Sequence, residues 1–533
     1  MHIGNEQVAA IDIGTSGIRG QLLDLASGNI LRTCILSRNP LPGSNVMDHL
    51  TFAMERGTDI ANKILVRSVN DIITRLGPDR LLRVSVCGNP IQLSIFEGIE
   101  IRDLAYVGEN KLRSEHVMPA ERKGHIISGD AIGLPRNVDI IIPPAVKHEI
   151  GADALAMMLR SGFLDDDVCM VTDYGTNAEM ALKVGDNIYT GSAAAGSALE
   201  GQQLTSGMLA GPGALSDLVR TPSGWLTKVL DGELNEQDGP ILNMRSRILM
   251  KQGKMPSGIT GTGVIAMIYA GMRDDVIHPP KIDGGSIAVG RNVTFREEDL
   301  KEAGKAMGAI RAGHMTLVKE AGIDHKEIRT MYMAGASGTY VDPLKAKSVG
   351  LIPPYAKKVV QAGNTSLGMA RDMAMRPQMI DDLNELVKRV SAKHVSFVSS
   401  PVFSSLYIME LAHWTEGMPL DRYKEELSSM GLGGYLDLDT ITMIEKRCTR
   451  DIQDIGASLE IREPDVVLTA SWECDKCMKC VSSCPGKALS FSDERFIMST
   501  GRCVGSACCV CERTCGKRAF RQSLFEGNGQ RPS

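Results

Sequence analysis

The feature that most constrains this chain is a dense group of cysteines near its carboxyl end. Nine of the thirteen cysteines lie between Cys474 and Cys515, behind a large cysteine-poor body. A secreted disulfide scaffold spreads its cysteines through a small chain, so that class of fold is disfavoured. Thiolate ligation of metal is the better account of the group. The isolated cysteines are interpreted as small buried hydrophobic residues, and these are Cys34, Cys87, Cys169 and Cys448.

The first half of this group has the spacing C-x2-C-x2-C-x3-C-P. It consists of Cys474, Cys477, Cys480 and Cys484, followed by Pro485. This is the spacing of bacterial-type ferredoxins, in which three thiolates bind one [4Fe–4S] cluster and the fourth binds a second cluster. A short loop of thiols three residues apart wraps one cubane, and its stiff exit directs the last sulfur elsewhere. The run therefore predicts a ferredoxin-like module.

A second run repeats the first with changes. Its cysteines, spaced x4, x2 and x3, are Cys503, Cys508, Cys511 and Cys515, with Cys509 left over. In both runs an Ala and a large apolar residue follow the last cysteine by four and five positions, as expected for a repeated two-cluster domain. Between the runs, Leu489–Ser492 and Phe496–Ser499 are predicted to be short strands around Asp493-Glu494.

We assign the cluster ligands from this spacing. One cluster is expected to bind Cys474, Cys477, Cys480 and Cys515, and the other Cys484, Cys503, Cys508 and Cys511. The x4 spacing leaves open a replacement of Cys508 by Cys509, and Gly516 stands where a proline is usual. Zinc and a single cluster are the alternatives, but eight thiolates without a histidine suit two cubanes better than tetrahedral zinc.

The chain of 533 residues is too long for one hydrophobic core and predicts two to four domains. The composition changes near Pro464–Trp472, which we interpret as a linker, and the predicted domains span residues 1–85, 86–470 and 471–533. The net charge is −5 with dispersed Lys and Arg, which disfavours nucleic-acid binding. Neither a leader nor a membrane-length apolar run is recognised, so a cytoplasmic protein with no nucleic-acid or membrane partner is expected.

The body contains two matching turns, each after an apolar, strand-like run that ends in Asp. The first runs from Asp12 through Gly14-Thr15-Ser16-Gly17, and the second from Asp173 through Gly175-Thr176-Asn177. Backbone N–H groups and hydroxyls in such turns bind phosphate oxygens, and an Asp at the strand end holds the waters of Mg²⁺. A third apolar run ends in a turn with Gly335 and Gly338, where glycines permit close approach of a base and ribose.

Each turn alone is also explained by hairpin geometry, with its Asp acting only as a cap. Their order resembles the actin, sugar-kinase and Hsp70 superfamily, in which two related lobes close on ATP. The resemblance implies an α/β, two-lobed ATPase body with a small C-terminal α+β ferredoxin-like domain. It implies that Asp12 and Asp173 are catalytic residues whose carboxylates lie close to Mg²⁺ and phosphate. The implied nucleotide-binding residues are Gly14, Thr15, Ser16, Gly17, Gly175, Thr176, Asn177, Gly335 and Gly338.

Other motifs are weaker. The chain has no G-x4-G-K-[ST] phosphate loop. Residues Gly261–Ala266 superficially match a dinucleotide fingerprint, but no apolar strand precedes them, so only a tight helix N-terminus is expected. Glu200 follows a Gly/Ala/Ser run that predicts a tightly packed helix. Amphipathic helices are predicted over Asp299–Ile310 and Asp381–Val390. The isolated histidines His49, His148 and His314 receive no role.

Several stretches between residues 8 and 370 make the resemblance more specific. They are Asp12–Gly17, Cys87–Pro90, Asp173–Glu179, Gly191–Gly201, Gly258–Ala266, Lys305–Gly313, Ala334–Gly338 and Gly363–Gly368. With them the chain resembles the reductive activators of corrinoid-dependent methyltransferases. Many of these activators carry a plant-type [2Fe–2S] domain before the ATPase unit, whereas this chain starts at the first phosphate turn and places its cluster motifs at the other end.

This resemblance implies an oxygen-sensitive, ATP-hydrolysing iron–sulfur enzyme that uses ATP with Mg²⁺ and two [4Fe–4S] clusters. It would return inactive Co(II) to Co(I) for methylamine:coenzyme M methyl transfer in methanogenesis, with electrons from a low-potential donor. Corrinoid proteins of methylamine methyltransferases are the expected partners, since the chain has no D-x-H-x2-G corrinoid motif of its own. The alternatives are an electron-injecting activator of a dehydratase-type enzyme and a non-catalytic nucleotide-binding redox scaffold.

Overall fold

The structure is a computed structural model that describes residues 6–106, 109–145, 150–175, 177–250, 252–391, 393–449, 452–505, 508–521 and 525. Thr176, a predicted phosphate contact, lies outside these ranges, and so does His148. None of the helices within them is long and apolar enough to cross a membrane.

The strands, in chain order, are β1 (Gln7–Ile13), β2 (Ile18–Asp24), β3 (Ile30–Leu36), β4 (Leu81–Gly88), β5 (His125–Ser128), β6 (Asp139–Ile142), β7 (Val168–Tyr174), β8 (Ala178–Val184), β9 (Asn187–Ala193), β10 (Ala214–Thr221), β11 (Gly224–Leu230), β12 (Glu236–Asn243), β13 (Ile248–Met250), β14 (Gly258–Ile259), β15 (Ile277–His278), β16 (Lys281–Ile282), β17 (Ser286–Ala288), β18 (Thr294–Arg296), β19 (Thr330–Ala334), β20 (Lys358–Gly363), β21 (Met443–Lys446), β22 (Leu459–Arg462), β23 (Val467–Ala470), β24 (Leu489–Ser492) and β25 (Arg495–Ser499).

The α-helices are α1 (Val46–Arg56), α2 (Thr58–Leu76), α3 (Pro90–Glu97), α4 (Arg102–Ala105), α5 (Glu109–Ser114), α6 (Ala152–Arg160), α7 (Gly261–Arg273), α8 (Glu297–Ala321), α9 (Gly335–Tyr340), α10 (Pro343–Ser348), α11 (Thr365–Met375), α12 (Met379–Ser391), α13 (Pro401–Glu416), α14 (Leu420–Ser429), α15 (Lys479–Ser482) and α16 (Val510–Arg513). The two amphipathic helices predicted from hydrophobic periodicity are confirmed, as parts of α8 and α12.

The chain divides into two compact units, each assembled from separate segments. The first unit comprises residues 1–156, 366–388 and 454–533. Its main sheet has the strand order β22-β3-β2-β1-β4-β6-β5. The central strand β1 is buried along its whole length, as an apolar run covered on both faces requires. The first phosphate turn joins β1 to β2 and is therefore carried on the most buried part of this sheet.

The second unit comprises residues 157–365 and 389–453. Its six-stranded sheet has the order β21-β20-β19-β7-β8-β9, and a five-stranded sheet has the order β13-β12-β11-β10-β14. The long helix α8 packs on β8 and β9 and against α13. Glycines on α8 permit this approach, because a Cβ on Gly308 would lie 2.8 Å from the Glu410 Cβ of α13.

The main sheets of the two units share one topology. In the first unit β1, β2 and β3 form an antiparallel meander, and β1 also pairs in parallel with β4. In the second unit β7, β8 and β9 repeat the meander, and β7 pairs in parallel with β19. The repeat agrees with the prediction of an α/β body built on two matching hairpins.

The strand pairings do not follow the domain boundaries that were predicted from composition. The predicted boundary between residues 85 and 86 falls inside β4. The segment interpreted as a linker, Pro464–Trp472, contains β23, which pairs with β25 of the cysteine-rich module. Just before it, β22 joins the edge of the main sheet beside β3. Strands β22 and β23 therefore belong to two different sheets, and the predicted linker contains regular structure that composition alone does not reveal.

The cysteine-rich module contains a three-stranded antiparallel sheet in the order β23-β25-β24. The predicted hairpin is confirmed, with β25 starting one residue earlier than expected. Its turn residues Asp493 and Glu494 have φ values of 49° and 59°, which fit a tight two-residue connection. Trp472 stacks on Phe496 with ring centroids 4.2 Å apart and contacts Phe520 edge-on, so aromatic rings form the module's core.

Candidate functional site

Four predicted ligands of one cluster lie together in the module. One cavity is lined by the cysteines Cys484, Cys503, Cys508 and Cys511, together with apolar residues such as Leu489, Met498 and Phe520. Burial, and to a smaller extent the neighbouring thiols, raise the pKa of Cys503 to about 12. Four thiols around an apolar space are a donor set that fits an iron–sulfur cubane. Cys484 joins this group from the first run, as the predicted crossover requires.

The second thiol group contains the remaining predicted ligands. Burial raises the pKa of Cys480, and the nearby Cys477 and Cys515 act in the same direction. Backbone N–H groups point at sulfurs in this module: Lys476 N lies 3.4 Å from Cys474 Sγ, and Phe520 N lies 3.3 Å from Cys515 Sγ. Such N–H···S bonds stabilise the negative charge of a cluster thiolate. The electrostatic effect of Cys515 on Cys480 fits the crossover in the opposite direction.

The backbone repeats between the two runs. Met478, after Cys477, and Cys509, after Cys508, both have a left-handed conformation, and each precedes a one-turn helix, α15 or α16. Cys508 therefore corresponds to the predicted ligand Cys477, whereas Cys509 corresponds to Met478, which is not a predicted ligand. Cys509 is also absent from the residues that line the cavity. The choice between the two stays a prediction, and this correspondence favours Cys508.

The surroundings of the thiols are cationic, in contrast to the net charge of −5 of the whole chain. Residues 471–521 contain nine Lys and Arg against five Asp and Glu, and the nine cationic side chains are exposed. Two cations occupy equivalent positions, because Lys487 follows Cys484 by three residues and Arg518 follows Cys515 by three. The module therefore presents a positive surface close to its sulfur ligands.

In the first unit, the turn between β1 and β2 holds the predicted acid Asp12. Asp12 pairs in register with Arg19, and the Arg19 Nη1 lies 3.8 Å from the Asp12 Oδ2. The turn is held by Asn39, whose Nδ2 donates to Gly14 O at 2.8 Å and whose backbone N donates to Ser16 O at 3.0 Å. The hydroxyl of Thr15 accepts a hydrogen bond from Asn89 Nδ2 at 3.1 Å. Asn39 and Asn89, which lie outside the turn, thus hold its predicted phosphate-binding residues in place.

A second carboxylate, Asp153, was not identified from the sequence. Burial raises its pKa to about 6, and the negative charge of Asp12 contributes in the same direction. Two neighbouring carboxylates repel each other unless a proton or cation lies between them. Within the described ranges, no third acidic or His side chain joins Asp12 and Asp153 to complete a metal site. A Mg²⁺ ion at this place would therefore need phosphate or water oxygens as additional ligands.

In the second unit, the predicted residues of two separate motifs meet. Asp173 is the second-last residue of β7, and Gly335 begins α9 directly against it, because a Cβ on Gly335 would lie 2.1 Å from Asp173 Oδ1. Gly335 also has a φ of 78°, so only glycine fits this position well. A Cβ on Gly175 would lie 3.9 Å from the Glu200 carboxylate. The structure thus brings Asp173, Gly175, Glu200 and Gly335 to one place.

The surrounding segments explain this convergence and correct one prediction. The Gly/Ala/Ser run before Glu200 is the end of β9 and a short 3₁₀ turn, Ser197–Glu200, and not a packed helix. Helix α7 begins at Gly261 with Thr260 as its N-cap, which confirms the predicted tight helix N-terminus. A side chain on Gly261 would collide with the Leu199 carbonyl at 1.6 Å, so glycine permits this contact.

The isolated histidines have structural surroundings. His49 is fully buried, and its Nδ1 lies 2.6 Å from Gln92 Nε2. His314 is fully buried on α8, and its Nε2 lies 2.8 Å from Thr172 Oγ1, beside the acid Asp173. Burial lowers the pKa of both imidazoles to about 3. Both rings are therefore neutral supports near the two turns.

Comparison with known protein families gives two matches that together span most of the chain. The RACo middle region matches residues 8–166, and the C-terminal domain of RACo, the ASKHA domain, matches residues 167–424. The boundary between these two matches lies just before β7, which carries the second phosphate turn.

Curated relatives agree with these matches. The [Co(II) methylated amine-specific corrinoid protein] reductase of Methanosarcina barkeri is 45% identical over 491 residues, covering 90% of this chain and 91% of the relative. The corrinoid activation enzyme RamQ of Eubacterium limosum is 24% identical, covering 75% of this chain and 69% of the relative. Among solved structures, a reductive activator for corrinoid, iron-sulfur protein matches with a TM-score of 0.62 at 22% identity, covering 78% of this chain and 68% of that one. The α/β, ASKHA-type fold is thereby confirmed.

Proposed function

This chain belongs to the family of reductive activators of corrinoid proteins, and we propose from this membership that it couples ATP hydrolysis to the one-electron reduction of Co(II) to Co(I) in the corrinoid of a separate protein. Ordinary cellular donors reduce Co(II) corrinoid only uphill, so the reaction needs an additional source of free energy. The observation that carries the proposal is the combination, in one chain, of an ASKHA domain with a module in which four thiols line one cavity.

The substrate follows from the most similar curated relative reported above. That reductase acts on corrinoid protein specific for methylated amines and is 45% identical to this chain. We therefore propose that this chain serves the corrinoid proteins of methylamine methyltransferases in methanogenesis. The cationic surface around the cysteines favours an acidic protein partner, either the corrinoid protein or the low-potential electron donor. A cytoplasmic location remains part of the proposal.

The cofactors are proposed from the donor sets. Two [4Fe–4S] clusters, held by the two groups of four cysteines, would supply one-electron transfer at low potential. Backbone N–H groups donate to a sulfur in each group, and apolar side chains line the cavity of the group that contains Cys484. ATP with Mg²⁺ is the proposed nucleotide, and each turn by itself would offer backbone N–H groups and hydroxyls to phosphate oxygens. Asp12 and Asp173 would each orient waters of a bound Mg²⁺, and Asp173 would polarise the attacking water.

The decisive experiment is anaerobic mixing of the iron-replete protein with a Co(II) methylamine corrinoid protein and a reductant. Absorbance should show conversion to Co(I) only when ATP is present. Asp173→Asn should lower ATP hydrolysis and cobalt reduction by about 100-fold or more, because a positioned carboxylate at the reacting phosphate is lost. Asp186→Asn, an exposed aspartate in the turn after β8, is the matched control and should stay within about twofold of the wild type.

The outcomes separate the alternatives. Equal cobalt reduction with and without ATP contradicts the coupling. Nucleotide binding without phosphate release from iron-replete protein favours a non-catalytic redox scaffold. A dehydratase-type activator is distinguished by iron counting, because such activators share one cluster across a dimer, whereas two groups of four thiols predict two clusters per chain.

A further inference from the structure

The loop of residues 37–44, which follows β3, holds the first phosphate turn from one side. Asn39 is buried, and its Nδ2 donates to Gly14 O at 2.8 Å. Its backbone N donates to Ser16 O at 3.0 Å. Two carbonyl groups of one four-residue turn are thus bound by a single residue, so a movement of the turn must move Asn39 or break these bonds.

The far end of the same loop contacts the cysteine-rich module. Gly43 N donates to the carbonyl oxygen of Cys503 at 2.9 Å, and Cys503 is a predicted cluster ligand that lines the thiol cavity. A Cβ on Gly505 would lie 3.5 Å from Gly43 Cα, and one on Gly501 would lie 3.3 Å from Asn39 O. The loop therefore lies along residues 501–505 at both of its ends.

The loop between these ends is stiff. Pro40 and Pro42 are buried, and their rings fix φ at two of the three positions between Asn39 and Gly43. Leu41 N donates to Asn39 Oδ1 at 2.9 Å, which closes the start of the loop on itself. At Gly43 a Cβ would lie 2.3 Å from the Asp48 Cβ, so the chain packs tightly there. Because the loop is stiff, we expect most of a displacement at Asn39 to reach Gly43.

We propose that Asn39 is a positioning residue that links phosphate binding at residues 14–17 to the protein segment around Cys503. The inference rests on the proposed function, because it requires a nucleotide at the first turn and a cluster at Cys503. A nucleotide that fixes the turn also restrains Asn39, Gly43 and the 501–505 segment. Linkage between two binding sites is reciprocal. Loading the cluster therefore changes the affinity for nucleotide by the same factor by which nucleotide changes the affinity for the cluster.

Hydrogen–deuterium exchange tests the first half of this linkage. Iron-replete protein is compared under anaerobic conditions with and without a non-hydrolysable ATP analogue. Amide exchange in residues 500–505 is expected to slow about fivefold or more when the analogue binds. Residues 474–484, which carry the other cysteine run, serve as the internal reference. In Asn39→Ala the slowing at 500–505 should disappear at saturating analogue.

The dissociation constant of the analogue tests the second half. In the wild type it should differ about fivefold or more between iron-replete and iron-free protein, and in Asn39→Ala the two values should agree. Asn62→Ala is the matched control, because Asn62 Nδ2, like Asn39 Nδ2, holds the backbone through a side-chain amide, here by donating to the carbonyls of Ile95 and Phe96 at 3.0 and 2.8 Å. It should retain both effects.

The outcomes distinguish the inference from the function on which it rests. If iron-replete wild type does not bind the analogue, the proposed function itself is contradicted. If the analogue binds but exchange at 500–505 is unchanged, the linkage is overturned and the proposed function stands. Retention of both effects in Asn39→Ala would show that another segment carries the linkage. Should Asn39→Ala not fold, Asn39→Asp takes its place, because it keeps the acceptor for Leu41 N and loses only the donor to Gly14 O.

Discussion

At the scale of single residues, backbone conformation distinguishes the adjacent Cys508 and Cys509, whereas the spacing of the cysteines does not decide which of them is the ligand. Cys508 lines the thiol cavity, whereas Cys509 takes the left-handed position that Met478 holds in the first run. The side chains of consecutive residues with such different backbone angles point in different directions. Spacing alone leaves the choice open, because x4-Cys and x5-Cys both place a thiol close to Cys511.

Replacing each cysteine separately should make this difference measurable. Cys508→Ser is expected to lose the iron of one cluster, because serine is a poor ligand for iron in a cubane. Cys509→Ser should keep the iron content of the wild type. Iron and sulfide per chain after anaerobic reconstitution, with electron paramagnetic resonance of the reduced protein, provide the measurement. The reverse pattern would identify Cys509 as the ligand.

The buried His314 makes the stability of the second unit depend on pH. Its pKa is about 3 in the fold, against an ordinary value of 6.5, so below pH 6.5 the unfolded chain binds a proton that the folded chain excludes. Stability contributed by the neutral ring is therefore present above pH 6.5 and falls by about 2 kcal/mol between pH 7 and pH 5. His314→Gln should remove that part of the pH dependence in urea unfolding followed by the fluorescence of Trp225 and Trp414. An unchanged slope would contradict this assignment.

At the scale of elements, one ion pair joins α8 to α13. Arg311 donates from Nε and Nη2 to the two carboxylate oxygens of Glu410, both at 2.6 Å, and Glu410 is fully buried. Tyr423 of α14 donates its hydroxyl to the same carboxylate. A bidentate pair with an additional donor is well satisfied, so its removal leaves an uncompensated charge in the core.

Glu410→Gln should therefore destabilise the second unit by about 3–5 kcal/mol, because it leaves the Arg311 charge buried without a partner. The control is Glu302→Gln. It removes an exposed ion pair between two residues of α8, Glu302 and Lys305, and should cost less than about 1 kcal/mol. Urea unfolding followed by tryptophan fluorescence measures both. Similar losses in the two variants would mean that burial of the pair contributes little.

Elements also show how far the sequence alone could lead. The hairpins at Asp12 and Asp173 and the Asp493-Glu494 turn were predictable because apolar runs and turn residues are local signals. Strand β23 was not, since its four residues become a strand only through pairing with β25. The same holds for sites: the cysteine groups follow from spacing, whereas Asp153 and Asn39 reach the first turn through the fold from distant positions.

At the scale of the whole molecule, the uneven charge distribution affects how partners meet the chain. A chain with net charge −5 carries an excess of cations around its cysteines. An acidic partner is attracted to this part of the surface and repelled by much of the rest, so encounters are steered toward the two cysteine groups. Salt screens such steering, since the Debye length falls from about 10 Å at 0.1 M to about 3 Å at 1 M.

The rate of cobalt reduction at limiting corrinoid protein should therefore fall on the order of tenfold as ionic strength rises from 0.05 to 0.5 M. Lys487→Glu and Arg518→Glu should each lower kcat/KM and weaken the salt dependence. Lys63→Glu, an equal change of charge at an exposed position on α2, should leave both unchanged. A rate independent of salt would exclude electrostatic steering by this surface.

The attachment of β22 to the main sheet has a practical consequence for separating the parts of this protein. Leu459–Arg462 forms the edge of the seven-stranded sheet, and only four residues separate it from β23, with which the cysteine-rich module begins. A truncation before Leu459 would uncover the backbone of β3 and invite aggregation through the bare edge. A cluster-free ATPase for calorimetry or crystallisation should therefore end between Arg462 and Val467, and a transplanted module should start there.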